Sequence, residues 1–104
     1  MATTRLSIRH RKRFRVTMGA TPLFTSDIGA GGYGAEAMRV QEPGTPVRGV
    51  IHINGSEVAY VGEVAWARAG VPHIALRGRM GIKFTSLPTH VVMLLSAPVL
   101  TATN

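Results

Sequence analysis

The stretch Val47 to Arg68, VRGVIHINGSEVAYVGEVAWAR, decides how the chain is read. Asn54-Gly55 sits at its centre, and both residue types tolerate the positive φ that a two-residue hairpin turn demands. On the second arm Val58, Tyr60, Val64 and Trp66 share one face, while Glu57, Ala59, Glu63 and Ala65 share the other. That period of two belongs to a strand with one face in a core. A β-hairpin, Val47–Ile53 with Glu57–Arg68, is therefore expected, with Trp66 in the core.

Outward from the hairpin, Gly and Pro divide the chain into short segments. Leu23 to Ile28 and Gly31 to Val40 read as strands, followed by a loop over Gln41 to Pro46. On the other side Val71 to Leu76 and Met80 to Thr85 read as two more strands, reversed by Arg77-Gly78-Arg79. Ser86 is placed to cap a helix from about Leu87 to Ala97, with Pro88 in its first turn. About six short antiparallel strands are best satisfied by closing on themselves, which removes exposed edges. The fold class expected is all-β: a small six-stranded antiparallel barrel with a short C-terminal helix. By strand position Tyr33, Tyr60, Phe14, Phe24 and Phe84 are expected as barrel lining or rim. The apolar run Val91 to Leu95 must cover the barrel or a second copy of the chain, so a homodimer through this segment is one reading.

A chain of 104 residues has room for one domain. Three parts are expected: a flexible basic arm over 1–13, the barrel and helix over 14–97, and a tail over 98–104. The net charge of +7 is local, because six of the twelve Lys and Arg residues precede Val16 in a stretch with no Asp or Glu. Such a pole attracts anions without choosing among phosphates, nucleic acid or acidic membrane. The chain has no cysteine, which excludes disulfides, thiolate chemistry and cysteine-based metal sites. His10, His52, His73 and His90 lack metal-ligand spacing, so no metal site is expected. No paired carboxylates and no GxSxG serine are present, and the chain is not expected to be an enzyme. Gly19 and Pro22 break the segment after the basic residues, which argues against a signal peptide. The longest apolar run is far short of the roughly 20 residues of a membrane-spanning helix, and the cytoplasm is the expected location.

Two places carry chemistry. In the first, Arg9, Arg11, Lys12, Arg13 and Arg15, each arginine offers a planar fork suited to phosphate oxygens or to the O6 and N7 edge of guanine. A solvated basic tail is the plain alternative. In the second, Ser26-Asp27-Ile28-Gly29-Ala30-Gly31-Gly32, a carboxylate able to accept from guanine N1 and N2 is followed by small residues. An ordinary turn explains the same pattern. The glycine spacing fits neither GxGxxG nor a Walker loop.

In this order the motifs resemble the PilZ family, bacterial receptors for cyclic di-GMP, whose signature is RxxxR followed by (D/N)xSxxG. Arg11 to Arg15 fits the first motif and Asp27 to Gly32 the second, with Gly29 standing where the pattern has serine. Gly62-Glu63-Val64-Ala65-Trp66 is similar to the family's GxVxW strand, and Gly81-Ile82-Lys83-Phe84 to its GIxF strand. The resemblance covers nearly the whole chain and implies a PilZ-like β-barrel. It implies further that Arg11, Arg15, Asp27, Gly29 and Gly32 bind the ligand: the arginines on phosphates and guanine edges, Asp27 reading a guanine, Gly32 allowing close approach. Arg9 with Arg13 is the other register of the first motif, and Arg9, His10, Arg13 and Trp66 are expected as auxiliary contacts. The function expected is a cytoplasmic cyclic di-GMP receptor that orders its arm on binding and signals to a protein partner, with no other cofactor. The competing readings are a nucleic-acid-binding barrel using the same arm, and a degenerate PilZ module that docks proteins without ligand.

Overall fold

The computed structural model describes residues 9–74 and 76–96; most of the expected arm and the whole expected tail lie outside them. Seven strands follow in order: β1 (Arg9–His10), β2 (Arg15–Met18), β3 (Thr21–Gly29), β4 (Gly32–Ala37), β5 (Pro46–Ile53), β6 (Ser56–Arg68) and β7 (Gly78–Ser86). A short helix, α1 (Thr89–Leu95), ends the described chain. The six strands β2 to β7 close into an antiparallel barrel in the ring order β3, β2, β5, β6, β7, β4 and back to β3. β1 is an extra strand on β3, in line with β2 along the same edge.

The β5–β6 hairpin forms where the sequence places it. Asn54 and Gly55 carry φ of 50° and 81°, the two positive values of a type I′ turn, and Ile53 pairs with Ser56. Inside the barrel, Val58, Tyr60 and Val64 of β6 are buried, as the alternation requires. They meet Val16, Ile28, Ile51, Met80 and Ile82 in one core cluster. Tyr33, Tyr60 and Phe84 pack edge to face, with ring centroids 5.6 to 5.9 Å apart. The two phenols are chained: Tyr60 donates to the Thr17 carbonyl at 2.9 Å, so its oxygen accepts from Tyr33 at 2.6 Å. Burial pushes the Tyr33 phenol above its usual range, and Tyr60 beside it pushes the same way. Burial also raises Tyr60, and the hydrogen bond from Tyr33 offsets part of that.

Three local expectations are corrected. The expected strand over Val71 to Leu76 is not found in its described residues: Val71 and Leu76 form one isolated bridge, and Pro72, which has no N–H, sits in a 3₁₀ turn over Pro72–Ile74. Residues 69–77 are instead the connection of a long β6–β7 hairpin, in which Arg68 pairs with Arg79. The helix begins at Thr89, with Pro88 at the N-cap and no side-chain cap, because β7 runs on through Ser86 and leaves that hydroxyl no helix to cap. Trp66 is not core; it is 46% exposed on the outer wall. A bulge between Val64 and Trp66 places Ala65 as an extra residue opposite β7, and the inner phase passes from Val64 to Ala67.

Val91 and Leu95 of α1 join the core, each worth about 1.5–3 kcal/mol of burial, whereas Met93 faces outward at 69% exposure. Among the described residues no helix is long and apolar enough to cross a membrane.

Candidate functional site

The site lies on the outer face of β3, where a bulge between Thr25 and Asp27 leaves Ser26 as an extra residue. Two consecutive side chains, Ser26 and Asp27, consequently lie outside while Thr25 and Ile28 stay buried. Their oxygens lie side by side over Gly34 of β4: a Cβ on Gly34 would be 2.9 Å from Asp27 Oδ1 and 3.3 Å from Ser26 Oγ. Asp27 Oδ1 accepts from the Gly34 N–H at 3.0 Å and from Arg9 Nη2 at 2.8 Å. Arg9 Nη1 donates to the Gly32 carbonyl at 3.1 Å. Both members of this ion pair are about two-fifths exposed, so solvent limits its strength to about 0.2–1 kcal/mol.

β1 brings Arg9 there. It pairs with β3 at Arg9–Gly29 and His10–Ile28, which turns Arg9 outward and His10 inward. The chain then leaves the sheet over Arg11 to Phe14 and rejoins it as β2. Buried Thr25 holds this detour: its Oγ1 donates to the Lys12 carbonyl at 2.6 Å and accepts from the Phe14 N–H at 2.8 Å. Arg11, Lys12 and Arg13 are thereby set against β3 and line a cleft of about 890 Å³ with Pro22, Phe24 and Ser26. Arg13 lies 4.2 Å from the centre of the Phe24 ring, a cation–π contact. Ser26 is the shared edge between this cleft and the Arg9–Asp27 pair.

The expected site residues divide accordingly. Arg9, Asp27 and Gly32 are in direct contact, and Arg11 and Arg13 reach the adjoining cleft. Gly29 stands between Arg9 and Gly32 in the sheet, and a serine there would present its hydroxyl on the same outer face. Arg15 is exposed opposite Phe24 in the β2–β3 register and does not line the cleft. Residues Arg9 and Arg13, the second register of the first motif, thus make the contacts with β3. His10 turns inward, with Nε2 donating to the Leu95 carbonyl at 3.2 Å, which makes it a link to α1 instead of a ligand contact. Gly32 does permit a close approach, but the neighbour is the Ile82 carbonyl of β7, into which a Cβ at Gly32 would run.

Trp66 lies across Gly81 of β7 and faces the same outer surface, in the row Asp27, Gly34, Gly81, Trp66. Three strand spacings separate it from Asp27, about 14 Å along the wall, too far for both to touch one base. Phe24, expected as lining or rim, is 47% exposed on the outer wall. The remaining cleft residues include Met38, Arg39 and Gln41 from the β4–β5 connection and Arg77 before β7. No motif marks them. Among the described residues no three His, Asp or Glu side chains converge as a metal site would require.

The sequence matches no family model and no curated protein. Among solved structures the barrel is similar to the Bacillus subtilis inhibitor of motility, MotI/DgrA, with a TM-score of 0.74 at 14% identity. The match covers 90% of this chain and 48% of that one, so the chain spans about half the length of its structural neighbour. The likeness is one of fold: a closed six-stranded antiparallel barrel of the kind the PilZ resemblance implies.

Proposed function

We propose that the chain is a PilZ-type receptor for cyclic di-GMP that binds it on the outer face of β3 and acts on a protein partner. The observation that supports this most is the convergence of the two sequence motifs: Arg9 lies on Asp27 and Gly32, and Arg11 and Arg13 line the cleft beside them. In this reading Arg11 and Arg13 take phosphate oxygens, and the Arg13 plane, already over Phe24, offers a stacking surface for a guanine. Asp27 accepts from guanine N1 and N2, while Arg9 holds the carboxylate in place. A regulatory role without catalysis agrees with the fold neighbour, an inhibitor of motility.

Ordering an arm costs about 1–2 kcal/mol of backbone entropy per residue. Between Arg9 and Phe14 part of that cost is already met by Thr25 and the β1 pairing, so the charged contacts are left to supply affinity. Calorimetry with cyclic di-GMP tests the site: Arg9→Ala, Arg13→Ala and Asp27→Ala should each weaken binding about tenfold or more. Wild-type affinity in all three rejects it. The surplus of cations in the cleft also suits a nucleic-acid backbone, and a salt titration separates the readings, since backbone binding collapses between low and physiological salt.

A further inference from the structure

The cleft has a second wall that neither arm nor β3 supplies. Arg39 enters it from the β4–β5 connection and Arg77 from the β6–β7 connection. The two are far apart in sequence, yet the β4–β7 ladder ends at Ala37–Gly78, which sets the residues after β4 beside those before β7. Val40 packs against Gly78 at this junction, where a Cβ on the glycine would come within 2.7 Å of the valine Cγ1. Arg39 and Arg77 thus share one rim and line the same hollow as Arg11, Lys12 and Arg13.

Among the described residues Glu36 is the one carboxylate lining that hollow, and it stands opposite Arg79 in the β4–β7 register. Among the described residues the Arg9–Asp27 ion pair and the His52–Glu57 contact do not involve the cleft cations. Five cations around one small cavity repel one another, and an anion held between the walls relieves that repulsion on both sides at once. The volume of about 890 Å³ lies in the range of small-molecule sites, and Pro22, Phe24 and Met38 give it an apolar floor.

We infer that Arg39 and Arg77 form a second anion-binding jaw, so that the ligand bridges the cleft with one phosphate on the arm and the other on this rim. The inference rests on the receptor reading above and adds to it the class of ligand the geometry selects: a dianion whose two phosphates reach both walls and which carries flat rings for the apolar side chains of the cleft. A mononucleotide reaches one wall and loses the other.

Calorimetry with cyclic di-GMP on the full chain tests this. Arg39→Ala and Arg77→Ala should each weaken binding about tenfold, the loss expected for one charge-assisted contact. Glu36→Gln, which removes the opposing charge, should tighten it. Arg48→Ala, exposed on β5 and outside the cleft lining, should change affinity by no more than about twofold, as a distant screened charge does. Unchanged affinity in the Arg39, Arg77 and Glu36 variants, with Arg9→Ala weakened, overturns the second jaw and leaves the receptor reading standing. Absence of binding to the wild-type chain overturns both.

Discussion

Replacing Asp27 by asparagine and by alanine separates the two bonds that its Oδ1 accepts. Asparagine keeps a carbonyl oxygen for the Gly34 N–H at 3.0 Å but removes the charge that faces Arg9 at 2.8 Å. With both side chains about two-fifths exposed, losing the ion pair costs about 0.2–1 kcal/mol. Alanine removes the acceptor as well, and a hydrogen bond to a charged group is worth about 1.5–3 kcal/mol. Because this one is part-buried, the lower half of that range applies, and Asp27→Ala should cost about 2–3 kcal/mol in all. For a domain of this size each kcal/mol moves the melting midpoint by about 4–8 °C, so the two variants should melt roughly 6–18 °C apart. Thermal melts followed by circular dichroism, at low salt and in half-molar sodium chloride, measure both parts. Salt should close the gap between wild type and Asp27→Asn, since it screens an exposed pair, and leave the gap between the two variants unchanged. Equal midpoints for Asp27→Asn and Asp27→Ala would refute the bond to Gly34 and with it the placement of the carboxylate.

The buried phenols make stability fall at alkaline pH. An unfolded chain releases tyrosine protons near pH 10, whereas Tyr33 and Tyr60 retain theirs in the barrel, so each should cost up to about 1.4 kcal/mol per pH unit above that point. Urea midpoints measured from pH 9 to pH 11 should show the decline, and Tyr33→Phe should lessen its slope; a flat profile counts against the burial. Thr25→Val keeps the side chain's shape but strips the Lys12 carbonyl and Phe14 N–H of their partner, and should cost about 2–3 kcal/mol, read from denaturant midpoints. Trp66 fluorescence should be quenched readily by iodide, as an outward indole requires; resistance to quenching would return Trp66 to the core. Gly29→Ser should leave cyclic di-GMP affinity intact or tighten it, and a sharp loss in calorimetry would show the outer face of β3 to be wrongly aligned with the second motif.

What could be read from the sequence depended on how local its cause was. Asn54-Gly55 fixes the central hairpin through the φ values of two residues, and Val58, Tyr60 and Val64 declare their inner face by spacing alone. Trp66 continues the same alternation on paper, but the extra residue Ala65 belongs to the pairing with β7 and leaves no trace in a pattern of apolar residues. The arm offers two RxxxR registers in one run of cations. Long-range bonds favour one of them: Arg9 with Asp27, and Thr25 with the backbone of Lys12 and Phe14. Arg39 and Arg77 belong to no motif, since the end of the β4–β7 ladder alone makes them neighbours.

Both bulges act as a change of parity. Up to Thr25, and from Gly62 to Val64, a strand counts odd and even in step with its partner; beyond Ser26 and Ala65 the count is displaced by one. Were the pairing regular with Ser26 or Ala65 still in the strand, simple alternation would carry Asp27 or Trp66 toward an interior already filled by Tyr33, Tyr60 and Phe84. Each extra residue therefore gives the outer wall two consecutive side chains in place of one, and excising it would keep Asp27 or Trp66 outside while taking away the neighbour, Ser26 or Ala65, beside it.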